Sequence, residues 1–204
     1  MAYETWDYCK FDTSIPDATK EFLDDAFFQI NFFRWVIQEY FSRIEKSGSG
    51  FIQHINGNTK VKIKVKSLSG LYAGALGHAW PDGAGSGTIV LNVDYVNCCR
   101  NIYNGDRGDY DMANRYGALL EVAAVIVHEM NHVMWRLGEK RAWSMEGFFR
   151  HKVQDWLGIA DADLCGQTNW TCGVSTKGSN GCGLSDLQRK VIDIQEGADP
   201  QCFT

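Results

Sequence analysis

Hydrophobic residues first recur along the chain at helical spacing. Phe22, Ala26, Ile30, Phe33, Ile37, Phe41 and Ile44 fall at steps of three and four, which makes one apolar stripe on a helix of about seven turns. Ser14 or Asp17 caps its start, Pro16 is tolerated near it, and "SGSG" (47–50) ends it. The period then changes. "FIQHI", "KVKIKVKSL", the glycine-broken "GLYAGALGHAW" and "GTIVLNVDYV" read as strands of a small mixed or antiparallel sheet, of roughly three to five strands. The stretch "CCRNIYNGDRGDYD" (98–111) reads as a loop. It leads into a second long helix, Met112 to Leu137, with Asp111 as cap and Gly138 as stop. After the connector "GEKRA" a third helix runs from Trp143 to Leu157. Helix, sheet, long helix and further helix make an α+β fold. No repeat or interdomain linker interrupts it, so residues 1–204 are expected to form one domain with a cysteine-rich tail at about 160–204.

In "KVKIKVK" the lysines alternate with Val61, Ile63 and Val65. A strand would therefore turn every lysine to solvent and every aliphatic residue to the core. This solvated-face reading is preferred over a basic binding patch, and exposed lysines also discourage edge pairing.

The second helix poses a chemical problem. "AVIVHEMNHVMW" (124–135) places three ionisable groups in an apolar segment, where burial without partners costs several kcal/mol. His128 and His132 are four residues apart, so both imidazoles leave the same helix face and can converge on one ion. Glu129 is turned about 100° from His128, which sets its carboxylate beside that ion. This is H-E-x-x-H, in which zinc activates a water and the glutamate takes its proton and later returns it. The bland alternative makes both histidines hydrogen-bonded core residues. It is disfavoured because the chain has only five histidines, and two of them stand at ligand spacing around a Glu.

A third ligand is needed. The pattern H-E-x-x-H-x-x-G-x-x-H is excluded, because Trp135 and Gly138 occupy its last two defined positions. Glu146 in "AWSMEGFF" is the leading candidate, on a helix that folds back across the first. His151 is its rival, and Glu139 ranks lower because it lies in the connector. For the donor that stabilises a developing oxyanion, His151, Arg150 and Tyr116 are conceivable. The stretch from Thr88 to Val96, taken as the sheet edge beside the motif helix, could hold an extended peptide through main-chain hydrogen bonds.

"GALLEVAAVIVHEMNHVMW" followed by "AWSMEGFF" resembles the plant basic secretory proteins and their relatives, a zincin-type peptidase group. Their pattern runs close to G-V-x-x-H-E-M-T-H-V-W-Q-W and then, about a dozen residues on, I-E-G-I-A-D-Y. The likeness covers roughly residues 60 to 155 and is specific at the motif and the Met-Glu-Gly turn. It implies a zincin-like fold, Zn2+ held by His128, His132 and Glu146, Glu129 as the catalytic carboxylate, and a protein or peptide substrate. The I-A-D-Y that follows Glu-Gly in that group is Phe148-Phe149-Arg150-His151 here, a departure that leaves the substrate open.

Charge and cysteine content narrow the function classes. A net charge of −5 disfavours nucleic-acid binding, which needs a surplus of Lys and Arg on one face. No apolar run nears the ~20 residues of a membrane span. The chain has seven cysteines, four of them (165, 172, 182 and 202) in the loop-rich tail. Their gaps do not suit a zinc ribbon, and disulfides that staple the tail are the better account. The odd total leaves one thiol over, from Cys98 or Cys99. Asn169-Trp170-Thr171 is a glycosylation acceptor sequence that agrees with an oxidising compartment. The start "MAYETWDYCK" carries no secretory signal and is read as a mature form with an added Met.

Two motifs have bland readings. "DRGDYD" (106–111) is a capped turn more readily than a calcium loop, and Arg107-Gly108-Asp109 matches an adhesion tripeptide by chance. The sequence therefore predicts a secreted, monomeric zinc endopeptidase that uses Glu129 to activate zinc-bound water. The alternative is a defence or toxin-like binding protein of the same fold with little turnover.

Overall fold

A computed structural model describes residues 9–43, 60–72, 75–83, 86–105, 112–135 and 138–158. The expected strand at "FIQHI", the expected turn at 106–111, the tail with its four cysteines and glycosylation sequence, and the amino terminus lie outside them. The described residues form an α+β fold: a four-stranded mixed sheet and five α-helices.

The apolar stripe of the first helix is real, but it is carried by two helices. Helix α1 (Asp17–Phe32) and helix α2 (Arg34–Arg43) meet at Phe33, whose backbone leaves helical geometry at φ −93°, ψ 23°. No Pro or Gly causes the break. Phe22, Leu23, Ala26, Phe27 and Ile30 of α1 and Val36, Ile37, Tyr40 and Phe41 of α2 are all buried, so the stripe continues through the bend. Its two halves have different partners: α1 packs on the long motif helix, and α2 packs on the helix that follows it. The bend lets each half follow its own neighbour.

The sheet order is β1 (Cys9–Phe11), β2 (Lys60–Lys66), β4 (Ser86–Asn92), β3 (Gly77–Gly83). Strands β1, β2 and β4 are parallel, and β3 pairs antiparallel with β4. In β2, Val61 and Ile63 are buried while Lys62 and Lys66 are exposed, as the alternation predicts. Two expectations need correction. First, the segment Thr88 to Val96 is not a sheet edge: β4 pairs along its length with β2 on one side and with β3 on the other. Among the described residues the outer strands are β1 and β3, and β3 accommodates Pro81 because an edge residue can forgo one ladder bond.

Second, the strand ends at Asn92 and the supposed loop after it is helix α3 (Val93–Asn104). The Asn92 side chain accepts the N–H of Asp94 as an N-cap, and Gly105 closes the helix in the left-handed region at φ 76°. Tyr95, Val96, Cys98, Cys99 and Ile102 form its buried face. The aliphatic run into Val93 masked the cap, because β-branched residues suit a strand equally well.

Helix α4 (Met112–Trp135) carries the motif and packs against α1, α3, β3, β4 and helix α5 (Glu139–Leu157). It is buried without interruption from Gly117 to Asn131, which explains an apolar character on all sides. Cys9 and Cys99 are free, buried thiols, and burial pushes both up to about 12. None of the described helices is long and apolar enough to cross a membrane.

Candidate metal centre

His128 and His132 stand one turn apart near the C-terminal end of α4, and their Nε2 atoms are 3.2 Å from each other. Glu139, the first residue of α5, brings Oε2 to 3.2 Å from Nε2 of His128 and 3.5 Å from Nε2 of His132. These three residues could hold a metal ion: each offers one ligand atom, and the three atoms lie within 4.8 Å of one another. A tetrahedral ion with bonds of ~2.0–2.1 Å needs ligand atoms spaced roughly 3.3–3.4 Å apart. The observed sides of 3.2, 3.2 and 3.5 Å bracket that spacing.

Protons alone account for the triangle less well. The hydrogen bonds from both histidines hold Glu139 well below the usual carboxylate range, so it only accepts. If both Nε2 atoms are protonated, two N–H groups face each other. If one is, the other ring nitrogen and the carboxylate oppose lone pairs. A single cation inside the triangle satisfies all three. The bland reading of Glu139 is an exposed acid at a helix N-terminus, favoured there by the dipole. It explains the residue type but not the convergence with two imidazoles.

The surroundings also call for positive charge. Burial alone would lower the pKa of His128, yet hydrogen bonds to Glu139 and Glu146 and the charges of Glu146 and Glu129 outweigh it and raise the ring to about 10. Glu129 is buried, and desolvation lifts its carboxyl to about 7 against the lowering effect of both histidines.

Glu146 does not join the triangle. It lies two turns beyond Glu139 on α5, with Oε2 2.9 Å from Nδ1 of His128, the ring nitrogen opposite the cluster. Its Oε1 accepts a 2.7 Å hydrogen bond from Nη2 of Arg150, and Nη1 of Arg150 bonds to Glu121. Glu139 thus stands where the sequence reading placed Glu146, at the face shared by both Nε2 atoms. The reason lies in where the helix begins. Helix α5 starts at Glu139 and not at Trp143, so the residue taken as connector is already on the returning element.

A cavity of about 250 Å³ opens beside the centre, lined by His128, Glu129, Glu139, Trp143 and Glu146 from the helices and by Leu76, Gly77, His78 and Tyr72 from the strand side. Gly77 is a close-approach position: a Cβ there would lie 3.0 Å from Cγ and Oε1 of Glu129 and 3.0 Å from Cγ1 of Val125. The absent side chain is what lets the edge strand close over the carboxylate.

The three residues weighed as oxyanion donors do not line this cavity. Arg150 is buried between Glu121 and Glu146. Tyr116 is exposed, about 18 Å along the helix from His128 at 1.5 Å per residue. His151 belongs neither to the metal group nor to the cavity wall. Sequence reasoning missed the group on the strand side. The ring of His78 stacks on Tyr72 with centroids 3.8 Å apart and meets Trp80 edge-on at 4.2 Å. Burial, partly opposed by Glu139, lowers the pKa of His78. The pairing of β3 with β4 sets His78 beside the cavity, where Tyr72 from the turn before the strand meets it, so no local pattern signals either ring. Comparison with protein-family models, with curated proteins and with solved structures gives no significant match for this chain.

Proposed function

We propose that this protein is a zinc-dependent endopeptidase of zincin-like architecture, secreted and acting on protein or peptide substrates. The observation that carries the reading is the near-tetrahedral spacing of Nε2 of His128, Nε2 of His132 and a carboxylate oxygen of Glu139, with the buried Glu129 on the next helical position. The first two of these residues and Glu129 are the H-E-x-x-H set, and the resemblance to plant basic secretory proteins supports the same chemistry. That resemblance favoured Glu146 as third ligand, whereas the spacing favours Glu139.

His128, His132 and Glu139 would hold the ion. Zinc supplies a Lewis acid for the scissile carbonyl and lowers the pKa of water toward ~7. The rest falls to the chain's own groups. An extended peptide can add by main-chain hydrogen bonds to β3, the outer strand of the sheet among the described residues, which lays its backbone along the cavity. Glu129 faces the same space, takes a proton from the attacking water and delivers it to the leaving nitrogen. Its raised pKa suits both halves of that transfer. His78 and Tyr72 line the same cavity and are the candidates there for an oxyanion donor.

The test is elemental analysis of the purified protein together with hydrolysis of casein, with and without a chelator, for wild type and Glu129→Ala. One zinc per chain, chelator-sensitive cleavage, and a variant that keeps its zinc but loses nearly all cleavage are expected. Zinc-free protein, or undiminished cleavage by the variant, overturns the reading.

A further inference from the structure

Behind His128, reaching the cavity wall only at Glu146, lies a buried charged chain that hydrolysis does not itself use. Glu121, Arg150 and Glu146 are 1%, 4% and 4% exposed. We propose that this chain orients His128 for metal binding, which makes Arg150 a positioning residue for a centre it does not touch. The inference rests on the zinc reading of the site.

An imidazole presents a lone pair at Nε2 only when its proton sits on Nδ1, and the partner at Nδ1 selects that tautomer and fixes the ring plane. Oε2 of Glu146 is the carboxylate oxygen that faces that nitrogen, in an ion-pair contact of 2.9 Å that lies outside hydrogen-bond geometry, and its charge favours the proton on that side of the ring. A glutamate on its own has rotamers to spare. Here its other oxygen is taken by Nη2 of Arg150, one turn further along α5, at 2.7 Å. The planar guanidinium is pinned in turn by Glu121, which lies seven residues before His128 and so on the same face of α4. The chain therefore closes a loop between two helices: α4 to α5 through Glu121 and Arg150, and back through Glu146 to the ligand.

The charges fit the same role. Two carboxylates against one guanidinium leave a net negative charge behind His128, complementary to a cation in front of it. The simpler account is an ion pair that staples α4 to α5. Buried ion pairs contribute little stability relative to apolar replacements, and a staple alone gives Glu146 no reason to reach Nδ1.

The test measures zinc affinity of the full chain by competition with a chromophoric chelator, with circular dichroism and thermal melting as fold controls. Outer partners of a ligating histidine typically change metal affinity by ~10–100-fold when removed. Arg150→Lys keeps the charge but loses the fork that spans two carboxylates. It is expected to weaken zinc binding about tenfold while its circular dichroism stays that of wild type. Glu146→Gln is expected to lose ~10–100-fold and Glu139→Gln distinctly more, because it removes a ligand.

The visible spectrum of the Co2+-loaded protein gives a second readout. Glu146→Gln should keep the intensity of a four-coordinate site with shifted bands. A merely structural role predicts lower melting temperatures with unchanged zinc affinity of the folded protein, and that result overturns the proposal. So does a Glu146→Gln loss as large as that of Glu139→Gln, which would make Glu146 a ligand while leaving the peptidase reading intact. Should Arg150→Lys fail to fold, Glu146→Gln decides alone. Wild-type protein that binds no zinc refutes the function itself.

Discussion

Gly77→Ala adds one methyl group to the edge strand at its closest approach to the motif helix. The new Cβ would stand 3.0 Å from Cγ and Oε1 of Glu129 and from Cγ1 of Val125. Such contacts are tighter than side-chain carbons normally make, so a few tenths of an ångström must be recovered by lifting β3 or by turning Glu129 away. Overpacking of this kind costs about 1–3 kcal/mol. For a chain of this size that is a fall in melting temperature of roughly 2–12 °C, at ~2–4 °C per kcal/mol. A misplacement of ~1 Å in a catalytic group costs on the order of 100-fold in rate, so a shift of a few tenths of an ångström in the Glu129 carboxylate should cost several-fold. The triangle of His128, His132 and Glu139 does not touch Gly77 and should keep its metal. The assay compares zinc content, melting temperature and initial rate of casein hydrolysis in wild type and variant. Full zinc occupancy with a rate reduced roughly 3–10-fold is expected. A variant that cleaves at the wild-type rate would show that the strand does not fix the carboxylate, and the account of β3 closing over Glu129 would fail.

Two further predictions concern stability. Phe27 is fully buried and tilted against Phe11 at 6.0 Å. Phe27→Ala should therefore lower the unfolding free energy by about 3–5 kcal/mol, measured by urea denaturation, and a loss under 1 kcal/mol would contradict its place in the core. The metal-free protein should also lose stability as pH rises. His128 is raised to about 10 from its ordinary 6.5, so its contribution is complete below pH ~6.5 and disappears as pH passes ~10. Glu129, raised to about 7, acts in the same direction, because its ionisation penalty accumulates from pH ~4.5 to ~7. Melting temperatures of chelator-treated protein at pH 6, 8 and 10 should fall in that order, and a flat or rising series would remove the acidic setting of His128.

The helical face of Phe22 to Phe41, the alternation in β2 and the buried motif helix were all legible, because each is a local period set by backbone geometry. So were His128, Glu129 and His132, since four-residue spacing on a helix fixes convergence without reference to the rest of the chain. Where a run of residues suited two structures, the sequence misled. "VLNVDYV" alternates well enough for a strand, and only the Asn92 cap and the buried face of Tyr95, Cys99 and Ile102 settle it as helix. The bend at Phe33 has no local cause at all; it follows from which helices α1 and α2 pack upon.

The sequence alone determined that two imidazoles and a neighbouring carboxylate share one end of a buried helix, because that is a matter of rotation per residue. Tertiary structure decided the rest. The start of α5 at Glu139 set which carboxylate meets the imidazoles at Nε2 and which lies behind at Nδ1. The sheet order put β3, not β4, at the outer edge of the described strands, with Gly77 over Glu129 and the rings of His78 and Tyr72 at the cavity. These are contacts between residues distant along the chain, and they depend on how helices and strands are packed against one another, which no local period encodes.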